Sequence, residues 1–112
     1  KQYSKDKASV RKTEIKYPEN FLSVDWHIRK NILGQLVLEG RVNNKAATVT
    51  YKDIEMKVSF YGVTRSLLNE ETEMLYDSVP PGTYKSFKRK YSNARMSDSL
   101  TVNVIKADHT GE

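Results

Sequence analysis

Residues 48–61, TVTYKDIEMKVSFY, decide the fold class because apolar and polar residues alternate through them with one change of parity. Val49 and Tyr51 take odd positions, whereas the next four apolar residues take the even positions 54, 56, 58 and 60. A period of two is typical of a strand with one buried face, but one regular strand cannot bury both sets. The pattern therefore predicts a β-bulge or bend near Lys52 and Asp53, where the chain passes from one sheet of a sandwich to the other.

Segments on both sides show the same period of two and are separated by turn residues such as Gly34, Gly62 and Gly82. Strands are predicted in residues 21–30, 35–43, 48–61, 67–79, 84–91 and 99–107, with one long or two short strands in 67–79. The sequence therefore predicts an all-β domain, an immunoglobulin-like antiparallel β-sandwich of about seven strands. A small closed barrel of the OB type is the alternative. The sandwich is favoured because the strands are long and the change of parity fits a strand that crosses between sheets.

The inward-facing apolar residues of these strands form the predicted core. Its members are Trp26, Leu36, Leu38, Val42, Ile54, Met56, Val58, Phe60, Phe87, Leu100, Val102 and Val104. Burial of each such side chain contributes about 1.5–3 kcal/mol, so this set suffices for a marginally stable domain. Gly40 lies inside a strand and predicts the close approach of a facing side chain, for which Trp26 is the candidate.

The first 20 residues are polar, mixed in charge and without a sustained apolar period. We interpret residues 1–20 as a poorly ordered arm or linker, 21–108 as the sandwich domain and 109–112 as a tail. Because the arm has few apolar residues to bury, deletion of residues 1 to about 16 is expected to leave the thermal midpoint nearly unchanged. The alternative is a strand within residues 10–17 that packs through Val10, Ile15 and Tyr17.

The composition excludes several classes of protein. The chain has 112 residues and no cysteine, which excludes disulfides, zinc sites built on thiolates and cysteine nucleophiles. Its length supports one hydrophobic core. No apolar run approaches the ~20 residues that a membrane-spanning helix needs. The first residue is Lys1 rather than Met, so we expect an upstream segment that has been removed.

The net charge of +5 is unevenly distributed, because residues 83–95 hold five cations and no acidic residue. These cations are Lys85, Lys88, Arg89, Lys90 and Arg95. Aromatic residues at 84, 87 and 91 interleave with them, as in proteins that stack single-stranded nucleic acid. Since alternate residues of a strand face opposite sides, only about two or three of the cations can reach phosphates together, and specific nucleic-acid binding is not expected. We interpret the segment as protection of an edge strand or an aid to solubility, with contact to an anionic partner as the alternative.

Signals of catalysis or metal binding are sparse. His27 and His109 lie far apart in the sequence, and neither has the neighbouring carboxylates typical of a catalytic triad or a metal site. The five glycines are isolated and form no phosphate-binding loop. Glu70, Glu71 and Glu73 lack the spacing of a dedicated calcium loop, and we interpret them as a solvated hairpin tip. The sequence therefore predicts no enzyme, no cofactor and no metal.

Four short motifs follow one another in a recognisable order. They are GRVNN at 40–44, YKDI at 51–54, VSFYG at 58–62 and VPPG at 79–82, followed by Phe87. Together they resemble the FxLYD domain family, which is related to the water-stress, late-embryogenesis type of immunoglobulin-like sandwich. The resemblance covers roughly residues 36–107, and Gly62 stands where the family has an aspartate. It implies a β-sandwich without assigned catalytic residues, in an envelope or membrane-associated bacterial protein that is often a lipoprotein.

The sequence thus predicts a non-catalytic β-sandwich module of a bacterial cell-envelope protein, with a structural or protein-interaction role. The expected location is extracytoplasmic, in the periplasm or at the cell surface, with a lipid anchor upstream of Lys1 as one means of attachment. The expected partner is another envelope protein or an acidic surface. The alternative function is weak binding of an anionic polymer, whether nucleic acid, lipid head groups or polysaccharide, through residues 85–95.

Overall fold

The structure is a computed structural model that describes residues 3–92 and 97–110, with side chains described from residue 8 onward. Its elements are α1 (Tyr3–Lys16), a 3-10 turn (Pro18–Asn20), β1 (Leu22–Lys30), β2 (Leu36–Asn44), β3 (Tyr51–Tyr61), β4 (Leu67–Leu75), β5 (Tyr84–Tyr91) and β6 (Ser99–His109). In this described part of the chain, no helix has the length and apolar character needed to cross a membrane.

The six strands form two antiparallel sheets of three strands each. Sheet A has the order β1-β2-β5 and sheet B the order β4-β3-β6. The predicted antiparallel β-sandwich is confirmed, with six strands in the described residues where about seven were predicted for the chain. Residues 67–79 supply only one strand, β4, and a single bridge between Val79 and Tyr51. The closed-barrel alternative is wrong, because these strands pair into two separate sheets.

β3 contains the predicted bulge, but it stays in one sheet. Asp53 has a φ of +48°, and the register with β6 shifts between Lys52 and Glu55. This irregularity turns the strand so that Tyr51 and Ile54, which differ in parity, are both fully buried. The predicted crossing between sheets is therefore wrong, because the bulge resolves the parity conflict within sheet B.

The core lies between the sheets and contains ten of the twelve predicted residues. Val104 is half-buried against it, whereas Trp26 is 37% exposed. Trp26 lies on an edge strand, and the space over Gly40 is filled by Phe87 instead: an ideal Cβ on Gly40 would lie 2.8 Å from Phe87 Cζ. The buried apolar residues that the prediction omitted are Leu22, Val37, Ala46, Val49, Tyr51, Leu75, Val79 and Tyr91.

The close packing at Gly40 can be tested by adding one methyl group there. A Cβ at this position would also lie 2.8 Å from the carbonyl oxygen of Asp25, which is held in the ladder between β1 and β2. We expect Gly40→Ala to lower the free energy of unfolding by about 2 kcal/mol, since both the backbone and the Phe87 ring must shift. Urea denaturation would measure this loss.

Gly62→Ala is the matched control for that experiment. The nearest atom to its added Cβ would be Leu68 Cδ1 at 3.5 Å, an ordinary contact. We expect a change within about 0.5 kcal/mol, or a slight gain from the reduced entropy of the unfolded chain. Equal effects of the two substitutions would contradict the close packing at Gly40.

The interpretation of residues 1–20 as an irregular arm is wrong for Tyr3–Lys16, which forms α1, and the strand alternative fails with it. The helix docks mainly through polar groups. Val10 is exposed, and Ile15 is half-buried against the core. Glu14, in contrast, is only 1% exposed, and its position fixes the helix against the end of the sandwich.

The Glu14 carboxylate caps the segment that leads into β3. It accepts hydrogen bonds from the backbone N–H of Ala47 at 2.7 Å, the N–H of Thr48 at 3.0 Å and the Thr48 hydroxyl at 2.7 Å. The Tyr51 hydroxyl donates to the Glu14 carbonyl oxygen at 2.7 Å. Arg11 adds a bond from Nη1 to the Thr48 carbonyl oxygen at 3.2 Å. The helix is therefore joined to the sandwich by a buried polar network.

Candidate functional site

The structure separates four of the five cations that the sequence grouped into one segment. Lys85, Lys88, Arg89 and Lys90 lie on β5, an edge strand of sheet A, while Arg95 lies outside the described residues. Phe87 faces the core, so strand alternation places Lys85 and Arg89 on its side and Lys88 and Lys90 on the other. The segment is thus not one continuous basic surface.

Arg89 links the two sheets through hydrogen bonds. Its Nε donates to Glu73 Oε1 at 2.8 Å, and its Nη2 donates to the carbonyl oxygen of Met74 at 2.9 Å. The hydroxyl of Tyr91 donates to Glu73 Oε2 at 2.5 Å. Burial, together with this bond, raises the pKa of Tyr91 far above its ordinary value. We call Glu73, Arg89 and Tyr91 the sheet clamp, because they join β5 of sheet A to β4 of sheet B.

The interpretation of Glu70, Glu71 and Glu73 as a hairpin tip is wrong, since all three lie within β4. Glu73 faces sheet A, whereas Glu70 lies 4.0 Å from Lys57 Nζ on the other side of sheet B. Among the described residues, no group of three or more histidine and acidic side chains is placed to hold a metal ion.

The cations left on the surface belong to a larger polar face, the outer face of sheet A. The pairing of β1, β2 and β5 aligns the side chains of this face in four rows, and each row has one residue from each strand. These rows are Ser23, Asn43 and Tyr84; Asp25, Arg41 and Ser86; His27, Glu39 and Lys88; and Arg29, Val37 and Lys90.

A shallow cleft of about 640 Å³ lies over the middle of this face. Its lining residues are Asp25, Trp26, His27, Glu39, Gly40, Arg41, Ser86, Phe87 and Lys88. Six of these belong to the two central rows, and the three between them, at 26, 40 and 87, form the intervening row. The volume lies within the range of ligand-binding clefts, and the walls combine apolar surface with four charged side chains, Asp25, Glu39, Arg41 and Lys88.

Glu39 organises the charges in the cleft. Its Oε1 lies 2.8 Å from His27 Nε2, and its Oε2 lies 3.6 Å from both Arg29 Nη2 and Lys88 Nζ. The hydrogen bond with His27 is the main reason why the pKa of Glu39 lies below its ordinary value, and the two cations lower it further. Glu39 therefore stays ionised at neutral pH and draws three basic side chains together.

The second acid of the face is also partnered. Asp25 Oδ2 accepts a hydrogen bond from Asn43 Nδ2 at 3.0 Å, and the Arg41 guanidinium lies 4.7 Å from the centre of the Tyr84 ring. Four cations and two acids share the face, so the net charge of these six side chains is about +2. A face of this kind attracts anionic groups.

The outer face of sheet A carries one histidine, His27, next to a carboxylate. His27 is well exposed, and its ring nitrogen is taken up by Glu39. Ser86 carries a hydroxyl group in the neighbouring row, but it lies on β5, whereas His27 lies on β1. The two strands are separated by β2 and are therefore about 10 Å apart at the usual strand spacing. Such a separation is too large for a nucleophile and its base.

The charge run in residues 85–95 includes Lys88 and Lys90 of this face, but Arg29 and Arg41 lie outside it. Their signal was present as the polar half of the alternation in β1 and β2, at positions 25, 27, 29, 39 and 41. Counting cations along one segment could not detect it, because the face is built across three strands.

Comparisons with known proteins identify a fold and no family. No family model matches the chain, and no curated protein matches its sequence. The chain is similar to the crystal structure of a DUF1425 family member from Shewanella sp. pv-4, with a TM-score of 0.58 and 12% identity over 77% of this chain and 78% of that one. An X-ray structure of a Northeast Structural Genomics Consortium target has a TM-score of 0.42 and 6% identity, over 81% and 83% of the two chains. At 12% identity the first similarity shows the β-sandwich fold alone.

Proposed function

We propose that this chain is a non-catalytic binding module that uses the outer face of sheet A to hold an acidic partner protein of the bacterial cell envelope. The observation that carries the proposal is the charge of this face, where Arg29, Arg41, Lys88 and Lys90 outnumber two acids that are already partnered. An extracytoplasmic location and FxLYD membership are parts of the proposal, supported by the motifs at 40–44 and 79–82.

The spacing of the cations suits an extended acidic segment. Lys88 and Lys90 are two residues apart on β5, which is about 7 Å along a strand, and Arg41 lies on the adjacent strand. Acidic side chains at alternate positions of an extended peptide repeat at the same distance. Such a peptide can therefore meet several cations at once, with attraction that weakens as salt increases.

Charge reversal on this face tests the proposal. We expect Arg41→Glu combined with Lys88→Glu to weaken binding of a fluorescent glutamate-rich peptide at least about tenfold, because attraction becomes repulsion at two neighbouring positions. Fluorescence anisotropy at about 0.05 M salt would measure the affinity, which should fall when the salt is raised.

The control variant combines Lys57→Glu with Lys106→Glu, which makes the same change of net charge on the outer face of sheet B. It should lose much less affinity. Equal losses in the two variants, or no binding by the unmodified chain, would refute the proposal. Tighter binding of single- or double-stranded oligonucleotides than of the peptide would replace it with the nucleic-acid alternative.

A further inference from the structure

Two tight turns project from the same end of the sandwich. Sheet A ends at the row of Lys30, Leu36 and Tyr91, next to the turn at residues 31–35. Sheet B ends at the row of Tyr61 and its partners, next to the turn at residues 62–66. The rings of Tyr91 and Phe60 meet between the sheets, with centroids 5.0 Å apart, so both turns lie at one end. We call residues 31–35 and 62–66 the turn end; α1 docks at the opposite end, beside Thr48.

The tips of both turns present apolar side chains to solvent. Ile32 is 99% exposed, Leu33 77% and Val63 82%. Leu67 and Leu68, which follow the second turn, are also half exposed. Single exposed apolar residues are common on protein surfaces, but a group of five at one end indicates a surface that another apolar phase covers.

Hydrogen bonds hold both tips in shape. Asn31 Oδ1 accepts from the N–H of Leu33 at 3.0 Å and from the N–H of Gln35 at 2.9 Å. In the second turn, the N–H of Gly62 donates to the Ser66 carbonyl oxygen at 3.0 Å, and the N–H of Arg65 donates to the Gly62 carbonyl oxygen at 2.9 Å. The apolar side chains are thus presented on ordered turns, and binding through them costs little further ordering.

Four cations lie at or next to this end of the sandwich. Arg29, Lys30 and Lys90 lie in the last two rows of sheet A, and Arg65 lies in the second turn. One acidic residue, Asp98, also lies at this end, where it lines a cleft with Val63 and Arg65 and its N–H donates to the Tyr61 carbonyl oxygen. Apolar tips with cationic side chains nearby are complementary to a bilayer surface, which has acyl chains beneath anionic head groups.

We propose that the turn end docks on an anionic lipid bilayer, with Ile32, Leu33 and Val63 inserted below the head groups and the nearby cations at the phosphates. An apolar groove on a partner protein would cover the tips equally well, but it would make no use of the cations. The proposal does not depend on the acidic partner of the outer face, because the inserted residues Ile32, Leu33 and Val63 lie outside that face, although Arg29 and Lys90 border both surfaces.

Vesicle flotation tests the insertion. The full chain is expected to float with vesicles of phosphatidylcholine and phosphatidylglycerol at about 0.1 M salt, and much less with phosphatidylcholine alone. Ile32→Ser combined with Leu33→Ser should reduce partitioning at least about tenfold, because the inserted apolar area is lost. The control variant combines Tyr76→Ser with Ile105→Ser, which removes exposed apolar side chains elsewhere and should leave partitioning unchanged.

A site-specific probe distinguishes insertion from simple attraction of charge. Because the chain has no native cysteine, Leu33→Cys and Tyr76→Cys can each carry one polarity-sensitive fluorophore. We expect a blue shift on addition of anionic vesicles at position 33 and none at position 76. Absence of flotation by the unmodified chain, equal flotation by the serine variant, or no shift at position 33 would each overturn the proposal. Retained binding of the acidic peptide by the serine variant would show that the proposed function is unaffected.

Discussion

Replacing Glu14 by alanine is expected to lower the free energy of unfolding by about 3 kcal/mol. The carboxylate is buried and accepts three hydrogen bonds, so its removal leaves the backbone N–H groups of Ala47 and Thr48 without their acceptor. Hydrogen bonds to a charged group contribute about 1.5–3 kcal/mol each, and those that share one group add incompletely. Urea denaturation followed by circular dichroism would measure the change.

Glu19→Ala is the control for this substitution, because Glu19 is exposed in the turn that follows the same helix. It should change the free energy of unfolding by no more than about 0.5 kcal/mol. If Glu14→Ala costs as little, the buried network does not anchor the helix.

The Glu14 network also makes stability depend on pH. Burial would raise the pKa of Glu14, but the hydrogen bonds from Ala47 and Thr48 outweigh it, and the pKa lies below its ordinary value of 4.5. A carboxyl whose pKa is lower in the folded state stabilises the fold above its ordinary pKa, and this contribution is lost as the pH falls through the folded value. The difference in stability between the natural chain and Glu14→Gln should therefore be largest near neutral pH and should shrink in acid.

Deletion of residues 1–16 extends the same test to the whole helix. The sequence predicts no loss of stability, because the segment has few apolar residues. The structure leads us to expect a fall in the thermal midpoint at least as large as that of Glu14→Ala, since Ile15 packing and the Arg11 bonds are lost as well. An unchanged midpoint would restore the original interpretation of a dispensable arm.

The fold was predictable from the sequence wherever burial follows a period of two. β2 and β3 show this most clearly, and even the bulge at Asp53 was signalled by the change of parity before Ile54. α1 was missed because its attachment is polar and depends on one residue, Glu14, which apolar periodicity does not register. The sequence contains only weaker signals of this helix: residues 1–17 include neither glycine nor proline, and Pro18 follows directly.

The candidate site was predictable only in part, because it depends on pairing between strands. Alternation correctly separates Lys88 from Arg89, but the sequence gives no indication that Glu73 lies opposite Arg89 across the two sheets. Arg41 and Lys88 are 47 positions apart in sequence and become neighbours only through the register of β2 with β5. Such contacts follow from topology, which local patterns do not determine.

Glu73→Ala, which breaks the sheet clamp, is expected to lower the free energy of unfolding by about 3 kcal/mol. The substitution removes the acceptor for Arg89 Nε and for the buried Tyr91 hydroxyl, and it leaves a half-buried cation between the sheets. Loss of one partner from such a pair costs several times more than loss of an exposed ion pair. Denaturant unfolding of Glu73→Ala beside Glu70→Ala would measure it, since Glu70 lies in the same strand but faces solvent near Lys57.

A double-mutant cycle separates the clamp from the general effect of altering β4. If Glu73 and Tyr91 interact directly, Glu73→Gln and Tyr91→Phe together should cost less than the sum of their separate costs, with a coupling of about 1–2 kcal/mol. Additive costs would mean that the two side chains act independently and that apolar packing, such as that of Tyr91 on Phe60, joins the sheets at this edge. Because the clamp closes the edge between β4 and β5, its loss should also speed hydrogen exchange there more than in the strands β2 and β3 at the centres of the sheets.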